Sequence, residues 1–336
     1  LIDWYEAKKQ MEASRKEKGR YLIGVGMACG SHGTSMFPFM PDITGITIKM
    51  NEDGTIVFTT GTSDMGNGSV TTQCMLISEV LGIPLDHIAY IKTDTDAAMS
   101  DLGAYASRGT YTSGHAAVKT AQIMRDKIAV LAAELLDTTT DNLDFHDDAV
   151  WCVDIHRKFV SMKEIAVHAR EKHQEDLSCS YMFHSEAGPM SSGAHFAKVQ
   201  VDTVTGGIKV LEYAAVHDVG RVVNPMGITG QLEGGISMGL GYALCEEMKL
   251  DSTGRNQTSS FKKYHILNVK EMPKLSVDFL DSEEETGPYG AKSIGECAVV
   301  PVAPAIANAV SNAVGRQFYK LPIRPEDVLE ALSLVK

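Results

Sequence analysis

The sequence predicts an α+β fold built from two similar mixed α/β lobes, and three observations lead there. Apolar and polar residues alternate over 43–50 and again over 55–60, with Asn51-Glu-Asp-Gly54 between them as a turn, which reads as a hairpin. A glycine-rich loop and an apolar-periodic helix follow directly. The same order, hairpin then glycine loop then helix, returns more loosely over 194–245.

The elements follow in order. Residues 1–20 are charged and amphipathic and are expected to form a helix ahead of the lobes, a natural start for a subunit. The first lobe is expected over 21–180 and the second over 181–336. They divide in the polar stretch around 170–190, where Glu171-Lys-His-Gln-Glu-Asp reads as a solvated linker. In the first lobe the hairpin and the loop 61–68 lead to a helix over 71–81. Met75, Leu76, Val80 and Leu81 stand there at helical spacing, with Gly82 as the C-cap. Residues 87–92 read as a strand and 113–136 as a long helix rich in Ala, Val, Ile and Leu. In the second lobe, 194–201 and 208–216 form a hairpin around Asp202-Thr-Val-Thr-Gly206-Gly207. The loop 220–230 then opens a helix over 231–245, 275–280 is a strand, and a helix runs from 301 to 314. The tail begins a short helix with Pro325 near its first position and acids in its first turn.

At 336 residues the chain can bury two cores, and 44% hydrophobic with 22% charged residues is ordinary for a globular protein. A formal charge of −12 argues against nucleic acid, which wants a basic face. No signal-peptide pattern opens the chain and no apolar run is expected to reach the roughly 18 residues of a membrane span, so no membrane partner and a cytoplasmic location are expected. The cysteines at 29, 74, 152, 179, 245 and 297 show no Cys-x-x-Cys spacing. That argues against an iron–sulfur or structural zinc site within the chain and fits reduced thiols.

Four glycine-bearing segments and one carboxylate carry the chemistry. Gly24-Val-Gly26-Met-Ala-Cys-Gly30 has the spacing GxGxxxG rather than the dinucleotide GxGxxG, and no strand–helix–strand unit with a ribose-binding acid follows it. Gly61-Thr-Ser-Asp-Met-Gly66-Asn67-Gly68 offers backbone N–H groups ahead of a helix N-terminus, suited to an anionic or richly hydrogen-bonding ligand. Ala104-Tyr-Ala106-Ser107-Arg108-Gly109-Thr110 does the same before the long helix. So does Asp218-Val-Gly-Arg-Val-Val-Asn224-Pro225, running on to Gly230-Gln231-Leu-Glu-Gly234. Any one of these alone is turn and capping chemistry. Together they point to a large polar cofactor held by many weak backbone contacts. His32, His115, His195 and His217 read as isolated and structural, and no His/Cys/acid cluster shows metal-ligand spacing, so no protein-bound metal is expected. In Gly290-Ala-Lys-Ser-Ile-Gly295-Glu296 a carboxylate sits between a glycine-flanked loop and an apolar helix, where a general base could stand. In isolation such a Glu is an ordinary surface carboxylate.

In this order, Asp64-Met-Gly-Asn-Gly68, Ala106-Ser-Arg-Gly-Thr110, Asp218-Val-Gly with Asn224-Pro225, Gly230-Gln-Leu-Glu-Gly234 and Gly290-Ala-Lys-Ser-Ile-Gly-Glu296 resemble the molybdenum hydroxylases, the xanthine dehydrogenase/aldehyde oxidase family. The resemblance spans residues 24 to 332 and is to the C-terminal half of the family's molybdopterin-binding subunit. The N-terminal half, with its Gly-Gly-Phe-Gly-Gly loop and Ala-Phe-Arg-Gly segment, has no counterpart in this sequence, nor have the iron–sulfur and flavin modules. The arrangement is similar to the medium molybdopterin subunit of nicotinate dehydrogenases, which makes a split gene or a fragment the two readings.

The resemblance implies molybdopterin, as its cytosine dinucleotide, with molybdenum held by the pterin dithiolene and bearing a terminal sulfido or selenido ligand. It implies Glu296 as the catalytic general base. Gly66, Asn67, Gly68, Ala106, Ser107, Arg108, Gly109, Thr110 and Gln231 are implied to bind the cofactor. Asn67 departs from the pattern, standing where many relatives carry the longer Gln, and Lys292 reads equally as a solvated charge. The implied reaction hydroxylates a carbon next to nitrogen in a small heteroaromatic, nicotinate- or purine-like, with water as the oxygen source. Electrons would pass to FeS and FAD subunits, and a further subunit would carry the N-terminal half. A carbon monoxide dehydrogenase or hydroxybenzoyl-CoA reductase subunit, or a non-catalytic assembly protein of the same fold, are the alternatives.

Overall fold

A computed structural model describes residues 2–334 apart from 18, 92 and 156. In chain order the elements are α1 (Trp4–Glu17), β1 (Tyr21–Gly33), β2 (Ile43–Met50), β3 (Ile56–Thr60), α2 (Ser69–Leu81), β4 (Ile88–Ile91), α3 (Gly114–Leu136), β5 (Leu143–His146), β6 (Ala149–Cys152), β7 (Phe159–Ser161), α4 (Met162–His173), β8 (Ser178–His184), β9 (Met190–Asp202), β10 (Ile208–Asp218), α5 (Pro225–Leu244), β11 (Lys274–Leu280), α6 (Val302–Val314) and α7 (Pro325–Leu334). The strand expected over 87–92 is β4. Its expected last residue, Lys92, lies outside the described residues, as do Leu1 and Lys18 of the N-terminal segment.

Two four-stranded sheets share one plan. The first runs β4-β3-β2-β8 and the second β11-β10-β9-β1. In each an antiparallel hairpin, β2–β3 or β9–β10, sends its second strand through a helix, α2 or α5, to a parallel neighbour, β4 or β11. Each then passes to another helix, α3 or α6, and takes its edge strand, β8 or β1, antiparallel to the hairpin's first strand. The alternating burial of β3 and β9 gives each sheet a face to bury under helices. Ile46, Ile48, Phe58, Leu76, Ile77, Met124 and Ile128 form one core. Val199, Val201, Tyr213, Ile236, Leu240, Ile306 and Val310 form the other.

Three expectations are corrected. The stretch 21–33 was expected in the first lobe, but β1 pairs along its length with β9, from Tyr21 opposite Asp202 to Gly33 opposite Met190. It is therefore part of the second sheet. Its glycines serve packing: a Cβ on Gly24 or Gly26 would meet the main chain of α6, 2.0 Å from the Ala309 carbonyl oxygen and 2.3 Å from the Ala309 nitrogen. On the other face of the strand, Val25 packs on Ala7 and Met11 of α1. The linker expected around 170–190 is largely ordered structure. Ser161 and Glu164 form a capping box that starts α4, Gln174 closes it in the left-handed region, and β8 completes the first sheet. The chain crosses between sheets over 185–189 instead. Finally, the stretch Glu296–Val314 is long and apolar enough to cross a membrane by length and composition, which the sequence reading missed. It is mostly buried, and its helical part is the core helix α6, with Ala305, Ile306, Ala309 and Val310 fully covered.

Candidate active site

The repeated plan places corresponding loops of the two lobes face to face. From the first lobe come the loop after β3 that opens α2 and the segment 103–113 that opens α3. From the second come α5 and the loop before α6. Between them lies a cleft of about 500 Å³, lined among others by Gly66, Asn67, Ser69, Ser107, Gly109, Thr110, Gln231 and Glu296.

Local sequence dictates each wall. Asp64 Oδ1 accepts the Gly66 and Gly68 N–H groups at 2.8 and 3.3 Å, and both glycines stand at positive φ, 92° and 70°. Gly68 is the N-cap of α2 without a side-chain cap, so the first turn keeps N–H donors for a ligand. Asn67 Oδ1 accepts the Ser69 N–H at 3.1 Å. The Ser69 hydroxyl, on the cleft wall, is buried with no hydrogen-bond partner. A Cβ on Gly66 or Gly234 would meet nothing within 4 Å, so the cleft opens directly onto main chain at both positions.

Ala106 and Ser107 hold φ of 50° and 49°, a left-handed conformation that costs energy outside glycine. That conformation carries Ser107 to the opposite lobe. Its hydroxyl donates to the Glu296 carboxylate and accepts the Glu296 N–H at 3.0 Å. Gly295 is required by this approach, because a Cβ there would lie 2.8 Å from Ser107 Oγ. A second tie runs from the Tyr111 N–H to Ser293 Oγ at 2.7 Å. The carboxylate is thus fixed by a residue 189 positions away in sequence.

Most of the expected residues line the cleft; Gly68 and Ala106 stand beside it and shape the turns. Arg108 brings only its main chain. Its guanidinium is 1% exposed and spends every N–H inside the first lobe, on Asp42, Asp101, the Gly103 and Ile43 carbonyls and Thr44. Burial disfavours its charge, but Asp101 and Asp42 outweigh that and raise its pKa. Burial likewise opposes the Asp42 carboxylate, yet the Met36 N–H, Arg108 and Ser35 hold its pKa below the usual value. Lys292 is no solvated charge. It is largely buried and pairs with Asp218 at 2.7 Å. Burial works against the Asp218 carboxylate, and Lys292, Ser282 and the Gly220 N–H more than offset it, lowering its pKa. The pair locks the loop before Glu296 onto the end of β10, helped by the Lys292 N–H to the Val219 carbonyl at 2.8 Å.

The sequence reading missed Ser69, Thr72, Ser113 and Ser293 as cleft residues. A hydroxyl in the first turn of a helix was the available signal for the first two. His195 and His217 are not isolated either: both are fully buried, with their Nε2 atoms 2.7 Å apart and His195 Nδ1 2.8 Å from the Tyr213 hydroxyl. Adjacent strands β9 and β10 bring them together, a register the sequence does not print.

The family model of the molybdopterin cofactor-binding domain matches residues 1–273. A putative xanthine dehydrogenase molybdenum-binding subunit of Escherichia coli (strain K12) is 31% identical over 335 residues, covering 98% of this chain and 44% of that protein. The nicotine 6-hydroxylase large subunit of Paenarthrobacter nicotinovorans is 27% identical, covering 98% of this chain and 42% of its own length. Among solved structures, the reconstituted CO dehydrogenase from Oligotropha carboxidovorans superposes with a TM-score of 0.90 at 26% identity, over 99% of this chain and 43% of that one. The chain therefore spans less than half the length of these relatives. With the family model covering most of the sequence and the repeated α/β plan matching solved members throughout, the chain belongs to the molybdenum hydroxylase family, as a C-terminal half of its molybdopterin-binding region.

Proposed function

We propose that this chain is the molybdopterin-binding subunit of a multi-subunit hydroxylase acting on a carbon next to nitrogen in a nicotinate- or purine-like ring, with Glu296 as general base. The observation that carries this reading is the Glu296 carboxylate, set on the wall of the cleft between lobes and held by the Ser107 hydroxyl. The cleft suits a large pterin. Ser69 presents an unpartnered hydroxyl, Gly66 and Gly234 leave bare main chain, and the uncapped turn of α2 offers donors to a phosphate. When bound, the cofactor supplies redox-active molybdenum held by its own dithiolene, which asks no ligand of the protein.

The chain's own groups then divide the work. Asn67 and Gln231 offer amides that both donate and accept, and Ser107, Gly109 and Thr110 line the opposite wall. Glu296 takes the proton from the water-derived oxygen nucleophile, a task that contributes about two to four orders of magnitude in rate. Ser107 holds that carboxylate in one orientation. A recess beside Gln231, lined among others by Asn67, Asn224 and Arg221, offers amides and one guanidinium to the phosphates of a nucleotide tail, as the cytosine dinucleotide form of the cofactor would carry. The sulfido or selenido ligand, FeS and FAD partner chains, a chain carrying the N-terminal half and a cytoplasmic assembly belong to the same reading.

A carbon monoxide dehydrogenase subunit is the second reading, favoured by 29% identity over 319 residues to the carbon monoxide dehydrogenase large chain of Afipia carboxidovorans. Purifying the native assembly through this chain and quantifying molybdenum, copper, selenium, iron, flavin and released nucleotide separates the readings. Molybdenum with iron, flavin and CMP but no copper supports the heteroaromatic hydroxylase. Copper stoichiometric with molybdenum supports the second reading, and an assembly without molybdenum overturns both.

A further inference from the structure

We propose that Glu134, His168 and His173 form a binding site for one divalent transition-metal ion of the zinc class, separate from the cleft and independent of the reaction assigned to it. Glu134 lies in the last turn of α3, and the two histidines lie on α4, His173 being its last residue. Among the described residues this is the one group of three such side chains whose ligand atoms all fall within 4.8 Å of one another. His173 Nε2 stands 2.8 Å and His168 Nε2 3.4 Å from the same oxygen, Glu134 Oε2.

Three features favour a metal over a simple ion pair. First, His168 Nε2 is buried and has only a long contact, 3.4 Å, with Glu134 Oε2 and no well-formed hydrogen bond. A neutral ring nitrogen held that loosely against a carboxylate keeps its lone pair free for a ligand bond. Second, zinc at about 2.0–2.1 Å from nitrogen and oxygen sets ligand–ligand edges near about 3.3 Å in a tetrahedron. The His168 contact already has that length, and the His173 contact needs about half an ångström of widening, within reach of partly exposed side chains. Third, α3 and α4 both end here, so two helix C-termini direct partial negative charge at the site.

Two imidazoles and a carboxylate select zinc, nickel, cobalt or copper(II) over magnesium or calcium, which prefer oxygen donors. Three protein ligands leave a position for water. The site lies at the far end of α3, whose 23 residues span about 34 Å from the turn that lines the cleft. Its effect is therefore a staple. It joins two helices through residues up to 39 positions apart in sequence, Glu134 and His173, and closes the segment carrying β5, β6 and β7.

The test uses the untagged chain in its native assembly, after dialysis against chelator, with zinc chloride and cobalt(II) chloride as probes. Equilibrium dialysis should find one more bound zinc in the parent than in His168→Ala or His173→Ala. Each substitution should weaken that site by about a hundredfold or more, since even outer partners of a ligand cost about 10–100-fold. Cobalt should give visible d–d absorption in the parent that both variants lack, and Glu134→Gln should weaken binding while leaving the fold intact. Equal zinc stoichiometry in parent and variants would overturn the proposal, as would an unchanged thermal midpoint on adding zinc to the parent.

Discussion

Arg108 sits in a motif that the family resemblance assigns to cofactor binding, yet its side chain points its charge at Asp42 and Asp101. Its part is to hold the segment that places Ser107, so its loss is first a loss of stability. Arg108→Met should cost about 3–5 kcal/mol in urea unfolding, because two carboxylates would remain buried without their cation. An unchanged midpoint would show that the pair is dispensable. The buried histidines make a second prediction at this scale. Burial lowers His217 to about 4, and burial together with the His217 charge lowers His195 to about 3. Both pKa values lie below the unfolded value of roughly 6.5, so the unfolded chain binds protons that the folded chain refuses. Their contribution is complete above about pH 6.5 and falls as pH drops toward 4, by up to about 1.4 kcal/mol per pH unit for each ring. A His217→Phe variant, assayed by urea unfolding from pH 7.5 to 5, should show a shallower pH dependence. An unchanged slope would remove the pair from the acid sensitivity.

At the scale of elements, periodicity and capping residues made most of the fold legible. The hairpin β2–β3, helices α2 and α6 and the C-cap at Gly82 stand where spacing puts them. Helix α5 starts six residues earlier than expected, at Pro225, because Asn224 accepts the Gly227 N–H at 3.0 Å and caps it. Asn-Pro was the printed signal, hidden by glycines that weaken helical periodicity. Asn224→Ala should cost about 1 kcal/mol of stability by thermal unfolding. Strand β1 was misplaced for a physical reason: its partner lies about 170 residues on, and pairing at that distance leaves no local trace. Its glycines carried a signal that reads only with α6 in view. Gly26→Ala should destabilise by about 1–3 kcal/mol through overpacking against α6, measured in the same way. A neutral effect would mean that the helix yields freely.

For the whole molecule, the repeated sheet plan explains why the cleft exists. Two copies of one α/β unit face each other through the same loops, and neither copy alone contains both Ser107 and Glu296. The ordered motifs were legible because each opens a helix. The contact between them was not, since it depends on the left-handed backbone at Ala106 and Ser107 and on a missing side chain at Gly295. Turnover of a Glu296→Gln variant in the assembled complex, normalised to bound molybdenum, tests the central assignment most directly. The account predicts unchanged molybdenum content with turnover reduced by at least about a hundredfold. Turnover within a few-fold of the parent, at equal molybdenum, would contradict it.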